Sequence, residues 1–268
     1  MAAQIRSEEI VCPGGMPAFI ARPEAAGTFP VVVLMHERYG LVKHATDLAR
    51  RCAADGFLAL APNFFYRHPD QKALNAGNAR YDMTDPESVQ LLKAALTALD
   101  GHPAADRSKV AVAGYCQTGR HPLLFAAEVP IQAVVVWYGA AAPREWQVTP
   151  AQPRAFDDVI ARVQCPVFGA FGAADHLISV EDVRTLRASL EKHKKSFDIR
   201  LYAGAPHGWL NDTMPGRYRK PQADAARGAQ QAFLKDVVAG GWPANQVRWR
   251  FQSEFGQDYD FSKNVRLE

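Results

Sequence analysis

Cysteine is scarce in this chain. There are four in 268 residues, Cys12, Cys52, Cys116 and Cys165, with no CxxC pair among them. That spacing argues against a disulfide framework or a zinc-ligand pattern and fits a reducing, cytoplasmic setting. Net charge is also scant: the formal value is +3, too little to point to nucleic acid as a partner. The one concentrated basic stretch, "EKHKKS" from Glu191 to Ser196, reads as a solvated helix end. No apolar run approaches the roughly 20 residues that span a bilayer, so no membrane partner is expected. The first residues, "MAAQIRSEEIVCPGG", lack the apolar core of a signal peptide. Internal repeats and low-complexity linkers are lacking as well. A single α/β domain over residues 1–268 is therefore expected. Residues 241–268 read as an extension that packs on the domain or on a partner.

What the chain does contain is an alternation of short apolar runs with amphipathic stretches. Hydrophobic residues make up 48% of it and charged residues 22%, as in ordinary globular proteins. "FPVVVLMHE" (Phe29 to Glu37) is short and β-branched, the pattern of a strand buried on both faces. "FLALAPNFF" (Phe57 to Phe65), "KVAVAGY" (Lys109 to Tyr115), "IQAVVVWYG" (Ile131 to Gly139), "CPVFGAFGAAD" (Cys165 to Asp175) and "FDIRLYAG" (Phe197 to Gly204) read as further strands. Helical stretches separate them: Thr46 to Gly56, Asp85 to His102 with Asp85 as the expected N-cap, Ser179 to Lys194, and Gln222 to Gly240. The alternation predicts a mainly parallel central sheet with helices on both faces. Chemistry in such folds gathers beyond the carboxyl ends of the strands.

"VAVAGYCQTGR" (Val110 to Arg120) places Cys116 at one such end. Alone, a cysteine after a buried strand is more often an inert core thiol than a nucleophile. Asp175 and His207 follow two later strands, and the order nucleophile, acid, base is that of an α/β-hydrolase with cysteine in place of serine. In that arrangement His207 takes the thiol proton, Asp175 orients the imidazole, and the backbone N–H groups of Gln117 and Arg38 face a developing oxyanion. His121 and His176 read as local hydrogen-bonding groups. No metal spacing is present, and neither a metal nor an organic cofactor is expected.

On "VVVLMHERYGL", "GFLALAPNFFYR", "VAVAGYCQTGR", "GAADHLI" and "GAPHGWLNDT", the chain resembles the dienelactone hydrolase (carboxymethylenebutenolidase) family from about Phe29 to Gly240. The resemblance implies an α/β-hydrolase fold and a catalytic Cys116, Asp175 and His207. It implies a further role for Glu37 in generating the thiolate. It also implies ring opening of an enol-lactone through an acyl-enzyme. A carboxylate-bearing lactone needs a cation, for which Arg67, Arg38 and Arg120 are candidates by position. Asn211 stands where well-known members carry an arginine, and is a further substrate-binding candidate. Thr118 replaces a usual glycine, and Pro122 predicts a helix that is kinked or starts late. Two other readings stay open: a general carboxylesterase or thioesterase with a remodelled pocket, and a non-catalytic binding protein. The expected partner is a small ester or lactone, and the chain is expected to be a monomer or a homodimer.

Overall fold

The computed structural model describes residues 4–253. Nine strands form one sheet in the order β1-β2-β4-β3-β5-β6-β7-β8-β9. Strands β1 (Ile5–Cys12) and β2 (Met16–Pro23) make an antiparallel hairpin, and β2 runs antiparallel to β4. From β4 (Leu58–Pro62) onward all pairings are parallel: β3 (Phe29–Met35), β5 (Ala105–Tyr115), β6 (Ala133–Trp137), β7 (Val167–Gly172), β8 (Phe197–Tyr202) and β9 (Trp249–Ser253).

The helices cover both faces because the parallel strands are apolar on both faces. In β3, Val31, Val33 and Met35 enter one core while Val32 and Leu34 enter the other, following the two-residue period of a strand. α1 (Lys43–Ala54) and α7 (Lys220–Val238) close one side. α3 (Asp85–Thr97), α4 (His121–Ala126), α5 (Phe156–Arg162) and α6 (Val180–Lys192) close the other; the short α2 (Gln71–Asn75) lies between β4 and α3.

One hairpin went unread in the sequence, and two local expectations are corrected. The first two strands carry no readable apolar alternation: β1 exposes most of its side chains, and only "CPGG", with Gly14 and Gly15 at φ of 81° and 77°, marks the turn. The strand expected to run to Phe65 stops at Pro62, and the fully buried Phe64 and Phe65 sit in the turn beyond. Thr84, not Asp85, caps α3: its hydroxyl accepts the Glu87 amide at 3.3 Å, and Asp85 is drawn inward by Arg120. Within the segment 241–268, Trp249–Ser253 adds a parallel edge strand beside β8, and residues 254–268 lie outside the described residues.

Candidate active site

β5 ends at Tyr115, and the chain turns sharply. Cys116 adopts φ of 55°, a left-handed conformation that an L-residue holds only at a cost of about 1–2 kcal/mol. A single 3₁₀ turn, Cys116–Thr118, follows, and α4 starts only at His121. The late start accommodates Pro122, which lies in the first helical turn where no intrahelical N–H is required.

Glycine at 119 lets the turn approach the end of β6. A Cβ there would stand 2.6 Å from Gly139 Cα, and one on Gly139 would stand 2.6 Å from the Cys116 carbonyl oxygen. Thr118 fills its position without displacing the turn. Its buried hydroxyl accepts the Tyr115 amide at 3.0 Å and lies 2.9 Å from the His36 carbonyl and 3.0 Å from that of Tyr115. It thereby ties the nucleophile turn to the end of β3. Thr118→Val removes these bonds at nearly constant volume. The expected loss is about 1–3 kcal/mol, read from urea unfolding with an unchanged m-value.

His207, in the loop after β8, brings Nε2 to 2.9 Å from Cys116 Sγ and Nδ1 to 2.8 Å from Asp175 Oδ2. Asp175 is oriented by its own loop, since its Oδ1 accepts the amides of Leu177 and Ile178 at 2.8 and 3.1 Å. Burial pulls the imidazole towards neutrality, but the hydrogen bonds and charges of Asp175 and Cys116 outweigh it. The His207 pKa rises from 6.5 to about 10. The raised value means that this interaction stabilises the fold fully below pH 6.5 and is lost as pH rises through about 10.

The other cysteines differ. Burial pushes the thiols of Cys12, Cys52 and Cys165 up to about 11, 12 and 12 respectively, so they are unreactive at neutral pH. Cys116 is only partly buried.

Glu37 lies just past β3 and is 7% exposed. Its Oε1 accepts the Tyr138 hydroxyl at 2.9 Å and its Oε2 accepts Asn211 Nδ2 at 2.7 Å. The Tyr138 ring in turn meets the His207 ring edge-on at 5.4 Å. Tyr138 escaped the sequence reading, although its place one residue beyond β6 marks it as a strand-end residue. His36 also escaped it. Its Nδ1 donates to the Glu37 carbonyl at 2.7 Å and its Nε2 accepts the Phe64 amide at 3.0 Å; burial lowers its pKa to about 4. A neutral His36 thus fixes the loop that carries Glu37 and Arg38.

The candidate cations lie elsewhere. Arg120 is corrected outright: it is 2% exposed and bound to Asp85 at 2.9 Å and Glu145 at 3.2 Å, with its guanidinium over the Phe156 ring. It is a core ion cluster, closed to substrate. Arg67 pairs with Glu87 at 3.0 Å, and the Arg38 guanidinium donates to the Gly77 carbonyl at 3.0 Å. Asn211 is held by Glu37, and the Gln117 side chain donates to the Tyr81 carbonyl at 2.6 Å. Among the described residues, no cluster of His, Cys, Asp and Glu has the grouping of a metal site, and no helix is long and apolar enough to cross a membrane.

A family model for dienelactone hydrolases matches residues 16–238. The chain belongs to the dienelactone hydrolase family. It is 30% identical over 232 residues to a Methylorubrum extorquens protein provisionally named a carboxymethylenebutenolidase, covering 84% of this chain and 79% of that one. A Salmonella typhimurium protein with the same provisional name is 32% identical over 239 residues, covering 84% of each. Among solved structures, a provisionally named dienelactone hydrolase from Klebsiella pneumoniae superposes with a TM-score of 0.77 at 28% identity, covering 87% of this chain and 99% of that one. Membership of the dienelactone hydrolase family makes the chain an α/β-hydrolase that acts on carboxylic ester bonds, lactones included.

Proposed function

We propose that this dienelactone hydrolase family member opens lactone or ester bonds through a thioester on Cys116. The observation that carries the reading is the continuous Cys116–His207–Asp175 contact, with distances of 2.9 and 2.8 Å, at a left-handed turn. An imidazolium beside the sulfur favours the thiolate, the form that attacks. Sulfur adds to the acyl carbon, and the carbonyl electrons move onto oxygen, where the Gln117 and Arg38 amides receive the charge. Each such donor contributes roughly 3 kcal/mol to the transition state. The tetrahedral species expels the ester oxygen, which takes the proton from His207. Neutral His207 then deprotonates a water, which attacks the thioester and releases the acid. In a lactone the expelled oxygen stays tethered, so one product carries both groups. The steps call on no metal or organic cofactor. The scarce, unpaired cysteines support a reducing cytoplasm as the setting.

A general esterase is the second reading, and a specific observation favours it over a strict requirement for a substrate carboxylate. Asn211 is held by Glu37, and Arg120, Arg67 and Arg38 all bond to other groups of the protein. Neutral lactones and p-nitrophenyl esters are therefore expected to match carboxylate-bearing enol-lactones in kcat/KM within about tenfold, a difference of about 1.4 kcal/mol. A preference of about 100-fold or more for the charged lactone would overturn this. Failure to turn over any ester or lactone, together with a thiol inert to mild electrophiles at neutral pH, would favour a binding protein.

A further inference from the structure

β1 is an outer strand of the sheet, with β2 on one side and no strand on the other among the described residues. Its exposed side chains carry charge. Arg6, Glu8 and Glu9 all face solvent, and none has an ion-pair or hydrogen-bond partner among the described residues. The backbone is open as well. The Glu24 amide donates to the Gln4 carbonyl at 2.9 Å, one step beyond the pair Ile5–Pro23. Backbone groups alternate in direction along a strand, so the even residues of β1 turn theirs towards β2. The N–H and C=O groups of Ile5, Ser7, Glu9 and Val11 therefore point away from the sheet. Such an edge is a template for another strand unless something blocks it.

Charge selects how this edge can meet a copy of itself. Two copies of β1 related by a two-fold axis perpendicular to the sheet run antiparallel, and residues opposite each other share a face. With a side-chain period of two, the axis then passes through a residue rather than between residues. Centred on Arg6, Glu8 or Glu9, the pairing sets that residue against its own copy, like charge against like. Registers centred nearer either end of the strand match no opposite charges. Centred on Ser7, the pairing sets Arg6 opposite Glu8 of the second copy, and Glu8 opposite its Arg6. Ser7 meets Ser7 at the axis, and Ile5 meets Glu9. The outward backbone groups of Ile5, Ser7 and Glu9 then exchange hydrogen bonds. Arg6 and Glu8 fall in the closer, non-hydrogen-bonded pairs, with Cα atoms about 4.5 Å apart. The other outer strand, β9, offers no such match, since its one charged residue is Arg250.

We propose that two copies of this chain associate through β1, antiparallel and in the register centred on Ser7, so that the two sheets continue as one across the dimer. The surface is remote from the chemistry: β2, β4 and β3 lie between β1 and β5, whose end carries Cys116. The association stands apart from the thioester reading.

The test is sedimentation equilibrium of the full-length protein at loadings up to about 100 μM, with circular dichroism as the check on folding. The wild-type chain is expected to show a monomer–dimer equilibrium in this range. Arg6→Glu and Glu8→Arg each set like charges opposite one another on both sides of the axis, and each should raise the dimer Kd by about tenfold or more. The double variant Arg6→Glu/Glu8→Arg restores opposite charges and should return the Kd to within about threefold of wild type. Ser7→Pro deletes an N–H that points away from β2, so the fold should survive and the chain should sediment as a monomer. A wild-type chain that stays monomeric at about 100 μM, or a dimer that none of these variants weakens, would overturn the proposal. Weakening by both single charge variants with no recovery in the double variant would overturn it as well.

Discussion

Cys116→Ala is expected to lower kcat for esters and lactones by about 10⁴-fold or more while leaving the protein folded. Without sulfur, His207 and the two backbone amides can only bind substrate and orient water, and such remnants give a small fraction of the rate. The melting temperature should fall only slightly, because the substitution removes a partly buried contact to His207 and leaves the His207–Asp175 hydrogen bond in place. The variant also changes the partner. The Cys116 hydrogen bond and charge help to raise the His207 pKa to about 10, so in Cys116→Ala the imidazole should titrate at lower pH by NMR. Wild-type turnover in this variant would assign the chemistry to another group. An unmoved His207 titration would mean that the 2.9 Å contact does not couple the two side chains.

The second large effect is on stability. Arg120 is the cation shared by Asp85 and Glu145 in a nearly dry pocket; its side chain is 2% exposed and theirs are 1% and 5%, and Glu145 is also bound by the exposed Arg144 at 3.0 Å. Removing Arg120 leaves the Asp85 carboxylate buried without its partner, while Glu145 keeps Arg144, and breaking such a buried pair costs about 3–5 kcal/mol. Arg120→Ala is therefore expected to lose about that much by urea denaturation. The pH dependence has a fixed sign. Burial raises the Asp85 pKa and Arg120 opposes this, so without Arg120 the carboxyl becomes more willing to hold a proton. The deficit should shrink as pH falls and the carboxyls are neutralised, and Asp85→Asn in the same chain should recover part of it. A loss below about 1 kcal/mol, the size of an exposed ion pair, would show that water reaches the cluster.

Much of this protein is legible along the chain because the parallel core strands are local patterns. "VVVLM" and "VVVW" are β-branched, apolar on both faces and short, and the helix after Ser179 opens on a reciprocal Ser179–Asp182 cap. The order of Cys116, Asp175 and His207 is legible for the same reason: each sits just beyond a strand end. Other parts depend on contacts that no local pattern encodes. Glu37 meets Asn211 across 174 positions and Tyr138 across 101, so the locking of its carboxylate cannot be read from spacing. Arg120 misled by proximity: four positions from Cys116, it nonetheless turns into the core, towards a carboxylate on α3. The same contact displaced Asp85 from the capping role its residue type favours, a case of tertiary charge pairing overriding local preference.

The thioester on Cys116 can be measured directly. Enzyme mixed with excess p-nitrophenyl ester is quenched in acid within the first turnovers, its mass is recorded intact, and the digested peptides are sequenced. One acyl group per chain is expected, carried by the peptide that contains Cys116 and gone in Cys116→Ala. An unmodified Cys116 peptide during a burst of p-nitrophenol release, or an acyl group on another residue, would contradict it.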